Sequence, residues 1–128
     1  MTTDTEQTPA AVPTPATAQP GERYAGIAFE NGQPSHHLFL LDAKPRRALN
    51  WVAAKEWAAS IGASLPTRFE SALLYANLRD QFDTLKWHWT ATQYGGSGAF
   101  IQYFDGGTQT CNDQSDTFLV RAVRRLPL

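Results

Sequence analysis

Six residues near the middle of the chain constrain its fold most. Leu65-Pro66-Thr67-Arg68-Phe69-Glu70 separates two apolar stripes of helical spacing. Proline disfavours the α region for the residue before it, so a helix arriving from the N-terminal side cannot run through. Thr67 and Glu70 have the spacing of a capping box: the threonine oxygen takes the amide of the third helical residue, and the glutamate reaches back to the cap amide. This part of the chain is therefore two helices, not one long one. The first starts at Asn50, a good N-cap, carries Trp51, Ala54, Trp57, Ala58 and Ile61 on one face, and stops with Gly62 in the C′ position. The second starts at Thr67 and carries Ala72, Leu74, Tyr75, Leu78 and Phe82 as its apolar stripe.

Around the helices the signals are β. Tyr24–Glu30 and His36–Asp42 read as a hairpin about the turn signal Asn31-Gly32, prolonged by Gln33-Pro34-Ser35, with Lys44-Pro45-Arg46-Arg47 as the polar break after it. Beyond Asp83, Trp87–Thr92, Ala99–Phe104, Gly107–Cys111 and Thr117–Arg124 read as strands. They are joined by turns at Tyr94–Gly98, Asp105–Gly107 and Asn112–Asp116. A hairpin, two helices and four short strands make an α+β domain with segregated elements, two helices packed on short antiparallel sheets with long loops.

Residues 1–22 differ from the rest. They hold six threonines and four of the eight prolines, with Val12 as the only branched aliphatic. Such a stretch cannot bury enough apolar surface to offset its ordering entropy, so a disordered Thr/Pro-rich tail (1–22) before a single domain (23–128) is expected. Setting aside Asp4, Glu6 and Glu22 leaves 11 basic and 9 acidic residues, a net of +2, within a chain of net charge −1. That is too weak a field to argue for nucleic acid. No run of eighteen apolar residues suggests a membrane span, and the acidic N-terminus lacks the apolar core of a secretory signal. The single cysteine, Cys111, permits no internal disulfide and no four-cysteine zinc site. These absences favour a reducing compartment, or a chain that leaves the cell inside a larger particle.

The order of three motifs resembles a known family. Leu65-Pro66-Thr67-Arg68 entering a helix, Trp87-His88-Trp89-Thr90-Ala91-Thr92 on a strand, and the terminal Val120-Arg121-Ala122-Val123-Arg124-Arg125 resemble the small bacterial and prophage C-type lectin-like proteins, with Phe104-Asp105-Gly106-Gly107 supplying the end of the aromatic strand. The resemblance covers residues 23–126. It implies a compact C-type lectin-like fold with the N- and C-terminal strands adjacent in one sheet, and a phage or prophage origin. It implies no activity. The sugar-binding lectins coordinate calcium through Glu-Pro-Asn or Gln-Pro-Asp and Trp-Asn-Asp triplets. Here Gln33-Pro34-Ser35 lacks the acid, and Asn112-Asp113 has no tryptophan before it. The cysteine pair of the formylglycine-generating branch and the extra histidines of the sulfoxide-synthase branch are also missing. No metal site and no cofactor are expected.

Recognition is left as the function to look for, through side chains late in the chain. Trp87 and Trp89 share one strand face while His88 and Thr90 share the other, so the tryptophans either stack a ligand or fill the core. Tyr94, Gln102, Tyr103, Asn112, Asp113 and Gln114 lie in or beside turns, where binding residues concentrate on a rigid scaffold. With Trp87 and His88 they are the candidate ligand-binding residues. His36 and His37, being adjacent on a strand, face opposite ways and do not suit one metal ion. Asp105, Asp113 and Asp116 have no motif context for acid–base work, and Gly95-Gly96-Ser97-Gly98 lacks the lysine and helix of a phosphate loop. Arg121 and Arg125 have same-face parity, with Arg124 opposing them, and suggest a strand edge. The expected protein is a non-enzymatic, calcium-independent binding module for a host protein or a surface glycan. The alternatives are an intracellular effector that inhibits or adapts a host enzyme, and an accessory structural protein of the particle. Self-association is left open.

Overall fold

The computed structural model of the chain describes residues 18–128; the expected tail lies outside the described residues as far as residue 17. Glu22, which composition places at the end of that tail, is the first residue of strand β1 (Glu22–Glu30). Its carboxylate accepts from Arg124 Nε at 2.6 Å and Nη2 at 2.8 Å, and from the Gln19 amide at 2.9 Å.

β1 pairs antiparallel with β2 (Gln33–Leu41). Asn31 and Gly32 both have positive φ, 53° and 78°, as a tight two-residue turn between right-twisted strands requires. The turn is shorter than expected, because Gln33-Pro34-Ser35 already belongs to β2. Helix α1 (Trp51–Ser60) starts where Asn50 accepts the Ala53 amide at 2.9 Å. Helix α2 (Arg68–Leu78) starts at the full capping box, with Thr67 Oγ1 accepting from the Glu70 amide and Glu70 from the Thr67 amide. A 3-10 turn, Arg79–Gln81, follows. Strands β3 (Trp87–Tyr94), β4 (Gly98–Tyr103) and β5 (Gln109–Asp113) form a second sheet in that order. β6 (Val123–Pro127) joins the first sheet. The coarse expectation holds: the chain is α+β, with two helices and two small antiparallel sheets.

Three details differ. The last strand is Val123–Pro127, not Thr117–Arg124. The segment before it bonds to a different neighbour at almost every step: Phe118 to Leu49, Leu119 to β3, and Leu41 to the Ala122 carbonyl. No single ladder can form there, although Val120, Arg121 and Ala122 are all buried. The N- and C-terminal strands do share a sheet, but they are not adjacent, because the order is β1-β2-β6 and β6 pairs with β2. Asn112 and Asp113 belong to β5 and not to the turn after it.

The core has two parts. α1 lays Trp51, Ala54 and Ala58 over Trp89, Ile101, Val120 and Ala122. α2 lays Leu74 over Leu38, Leu40 and Val123 of the first sheet and over Phe82 and Phe104, which flank the second and stack at 3.8 Å. The core face of α2 is Ser71, Leu74 and Leu78, so Ala72, expected in the stripe, is turned outward. Ile61, expected to close the stripe of α1, is an exposed cap. No helix among the described residues is long and apolar enough to cross a membrane.

Candidate functional site

A groove of about 750 Å³ opens between the second half of β1 and the first half of α2. Ile27, Ala28 and Phe29 form one wall, and Phe69, Ala72 and Leu73 the other. The second wall follows from helical period: residues 69, 72 and 73 stand at i, i+3 and i+4, so α2 carries an apolar face beside the one that packs on the core. Two of these side chains are conspicuously in solvent, Phe69 at 74% and Phe29 at 58% exposure. Large aromatics left out of a core on both lips of one groove mark an interaction surface more than they mark poor packing.

His36 and Glu70, both buried, line the groove beneath these walls. Glu70 Oε2 accepts from His36 Nε2 at 2.6 Å and from Arg125 Nε at 2.7 Å, while Oε1 accepts from Arg125 Nη2 at 2.7 Å and the Thr67 amide at 2.8 Å. Burial pushes the Glu70 carboxyl up, but the hydrogen bonds from Arg125 and the Thr67 amide, the Arg125 charge and His36 outweigh it and hold the pKa below its ordinary value. A carboxylate kept ionised by four donors is a poor proton carrier. Chemically, this cluster joins α2 to β2 and β6.

The aromatic surface continues past the groove. Arg68, beside Phe69 at 5.7 Å, lies 3.9 Å over the Phe100 ring, and Tyr94 meets Phe100 edge-on at 5.4 Å. The Arg68 amide donates to Thr92 Oγ1 at 2.9 Å, which fixes the start of α2 against β3. Tyr94, 56% exposed, is thus joined to the groove by a run of touching side chains.

The other residues expected at the site fall into three places. Asn112, Asp113 and Gln114 lie at the Tyr94 end of the second sheet. Asn112 Nδ2 donates to Asp116, Asp113 accepts the amide and hydroxyl of Ser115, and Gln114 Nε2 donates to the Gly98 carbonyl. The Ser115 bonds lower the Asp113 pKa. Trp87 and Tyr103 lie together at the opposite end, rings 5.0 Å apart. Five residue steps along β4 separate that pair from Gly98, about 17 Å. His88 and Gln102 are inside. Gln102 Nε2 donates to the Ser71 carbonyl at 2.7 Å and its Oε1 accepts from Gln109. His36 and His37 do face opposite ways, His37 Nδ1 sharing a 3.1 Å hydrogen bond with the Tyr24 hydroxyl.

His88 has its ring edge-on to Phe82 and Phe104, and its Nδ1–H donates to the Lys86 carbonyl. Burial lowers its pKa to about 4. The unfolded chain therefore binds this proton first as pH drops, so stability is full above about 6.5 and lost towards pH 4, on the order of 3 kcal/mol. Denaturant titrations between pH 7.5 and 4.5 should show this slope in the wild type and lose it in His88→Gln. Equal slopes in the two proteins would refute the assignment.

Phe29, Arg68, Phe69 and Leu73 are not among the side chains that the sequence suggests for binding. A helix whose apolar residues span a wider arc than one core face needs was the available signal. In comparisons with known proteins, no family model matches the chain, and neither does any curated protein.

Proposed function

We propose that this domain is a non-enzymatic, calcium-independent recognition module of the C-type lectin-like kind, encoded by a phage or prophage, and that it binds a protein ligand across the surface from Tyr94 to Phe29. One observation carries the reading: two exposed aromatics, Phe29 and Phe69, stand on opposite walls of an apolar groove, and a third, Tyr94, is joined to Phe69 through Arg68 and Phe100. Tyrosine and arginine are enriched where binding energy concentrates, and apolar walls suit side chains of a protein better than the hydroxyls of a glycan. The lectin-like part of the reading draws support from the common sheet of the first and last strands, with both helices before the second sheet. Tyr94 remains from the set expected by sequence, and the groove is added to it.

The test is retention of a host-lysate protein on the immobilised full chain, compared with a glycan array. Phe69→Ala and Tyr94→Ala should each weaken the retained partner by about 1–2 kcal/mol while moving stability by no more than about 0.5 kcal/mol. A glycan bound with Trp87 and Tyr103 required, and Phe69 and Tyr94 dispensable, would replace this reading with a sugar site at the other end of the sheet.

A further inference from the structure

The groove has a feature that apolar walls alone do not explain: one of its sides is an open sheet edge. β1 lies at the end of the order β1-β2-β6 and pairs only with β2. The first half of its free edge is closed. Ala25, the extra residue of the bulge between Tyr24 and Gly26, turns its carbonyl to Asn77 Nδ2 at 2.7 Å. Gly26, at φ +120°, runs so close under α2 that a Cβ there would stand 3.4 Å from Asn77 Nδ2 and 3.8 Å from Leu73. From Ile27 to Glu30 the edge is open: among the described residues, no backbone hydrogen bond of this stretch leads anywhere but to β2. The backbone of α2 cannot supply partners, since its own groups are used within the helix.

We infer that the ligand segment held in the groove is an extended peptide that adds to β1 at Ile27–Glu30 as a further strand, with apolar side chains between Phe29 and Phe69 and a lysine or arginine against Glu30. The inference rests on the groove being the recognition surface proposed above. Sideways-pointing amides and carbonyls of an edge strand template another strand, and main-chain pairing with side-chain pockets is an established route to peptide recognition. Four residues of strand cover about 13 Å, so the open edge takes one short segment and no more.

Charge selects the occupant. Of the charged residues lining the groove, Glu70 is matched in direct contact by Arg125, whereas Glu30 at the rim is exposed, makes no close ion pair among the described residues and meets the Arg125 charge only at longer range. A basic side chain on the incoming segment complements it. The same stretch of a second copy, Ile27-Ala28-Phe29-Glu30-Asn31, brings another glutamate and no base, so a different chain fits better.

The test is selection of random linear peptides on the immobilised full chain, followed by calorimetry and amide hydrogen exchange. The selected peptides should alternate apolar and polar residues, carry a lysine or arginine, and protect the amides of residues 27–30. Methylating the peptide's backbone nitrogens at one parity should weaken binding about tenfold or more, while the other parity leaves it essentially unchanged. Glu30→Gln should weaken the basic peptides about threefold. Peptides that need Phe29 and Phe69 but tolerate methylation at both parities would overturn strand addition and leave the groove reading standing. Peptides indifferent to Phe29→Ala and Phe69→Ala would overturn the groove reading itself. A failed selection, or a concentration-dependent dimer that protects residues 27–30 unaided, would overturn the proposed occupant.

Discussion

Glu70→Ala is expected to cost about 3–5 kcal/mol of folding stability, because it leaves Arg125 and His36 around a site with no acid. Both partners depend on it: His36 is buried, Arg125 keeps only a third of its side chain exposed, and each aims at Oε2 of this one carboxylate. The same substitution removes the second half of the capping box, so the start of α2 loosens together with its attachment to β2 and β6. Glu70→Gln keeps the shape and one acceptor while losing the charge, and should cost less, about 1–3 kcal/mol. Urea denaturation at neutral pH measures both. A loss under 1 kcal/mol for the alanine variant would mean that water replaces the carboxylate without penalty.

Acid should reproduce part of this loss. The Glu70 carboxyl is held below its ordinary value when folded, so its contribution is present above the unfolded pKa, about 4.3, and disappears as pH falls through the folded one. The His88 effect operates higher, between pH 6.5 and 4, so the two groups separate along the titration. Glu70→Gln should flatten the slope below pH 4 and leave the upper part in place.

Local chemistry was legible where it decides the structure by itself. Thr67 and Glu70 cap a helix wherever they stand three apart at such a boundary, and Asn31-Gly32 can make its turn before anything else folds. The final strand was not, for the opposite reason. Thr117–Arg124 is rich in β formers along its whole length, and which part becomes a ladder depends on Leu38–Leu40 and Leu49, some seventy to ninety positions away. Glu70 shows both limits at once. Its cap role reads directly from the sequence, while its bonds to His36 and Arg125 exist only because β2 and β6 come together under α2. The groove needed Ile27–Glu30 and Phe69–Leu73 side by side, and periodicity cannot tell an apolar residue that faces a groove from one that faces a core. Gln102 and His88 looked available because polar residues usually are; burial, with Gln102 bonded at both ends of its amide and His88 at Nδ1, is a property of the packed state.

Trp89 and Trp87 share a strand face, and only packing tells them apart. Trp89 is 1% exposed, sits among Trp51, Ala54, Ile101 and Val120, and donates its Nε1–H to the Leu49 carbonyl at 2.8 Å with Phe118 edge-on at 5.0 Å. Trp89→Ala should therefore cost about 3–5 kcal/mol, the range for emptying a buried aromatic site. Trp89→Phe refills most of the volume and removes one of the two donors to the Leu49 carbonyl, which keeps the Phe118 amide, so about 1 kcal/mol is expected. Trp87 is half-buried against Tyr103 at the end of the sheet, and Trp87→Ala should cost clearly less than Trp89→Ala. Equal losses at the two positions, by urea denaturation, would mean that α1 does not seat over Trp89 as described. The part of the core around Trp89 is also distinct from the one that carries Leu74 under α2, and from the groove walls. Trp89→Phe should thus lower stability without changing affinity for a ligand held by Phe29 and Phe69, whereas Phe69→Ala should do the reverse, and that opposition separates a residue that builds the scaffold from one that uses it.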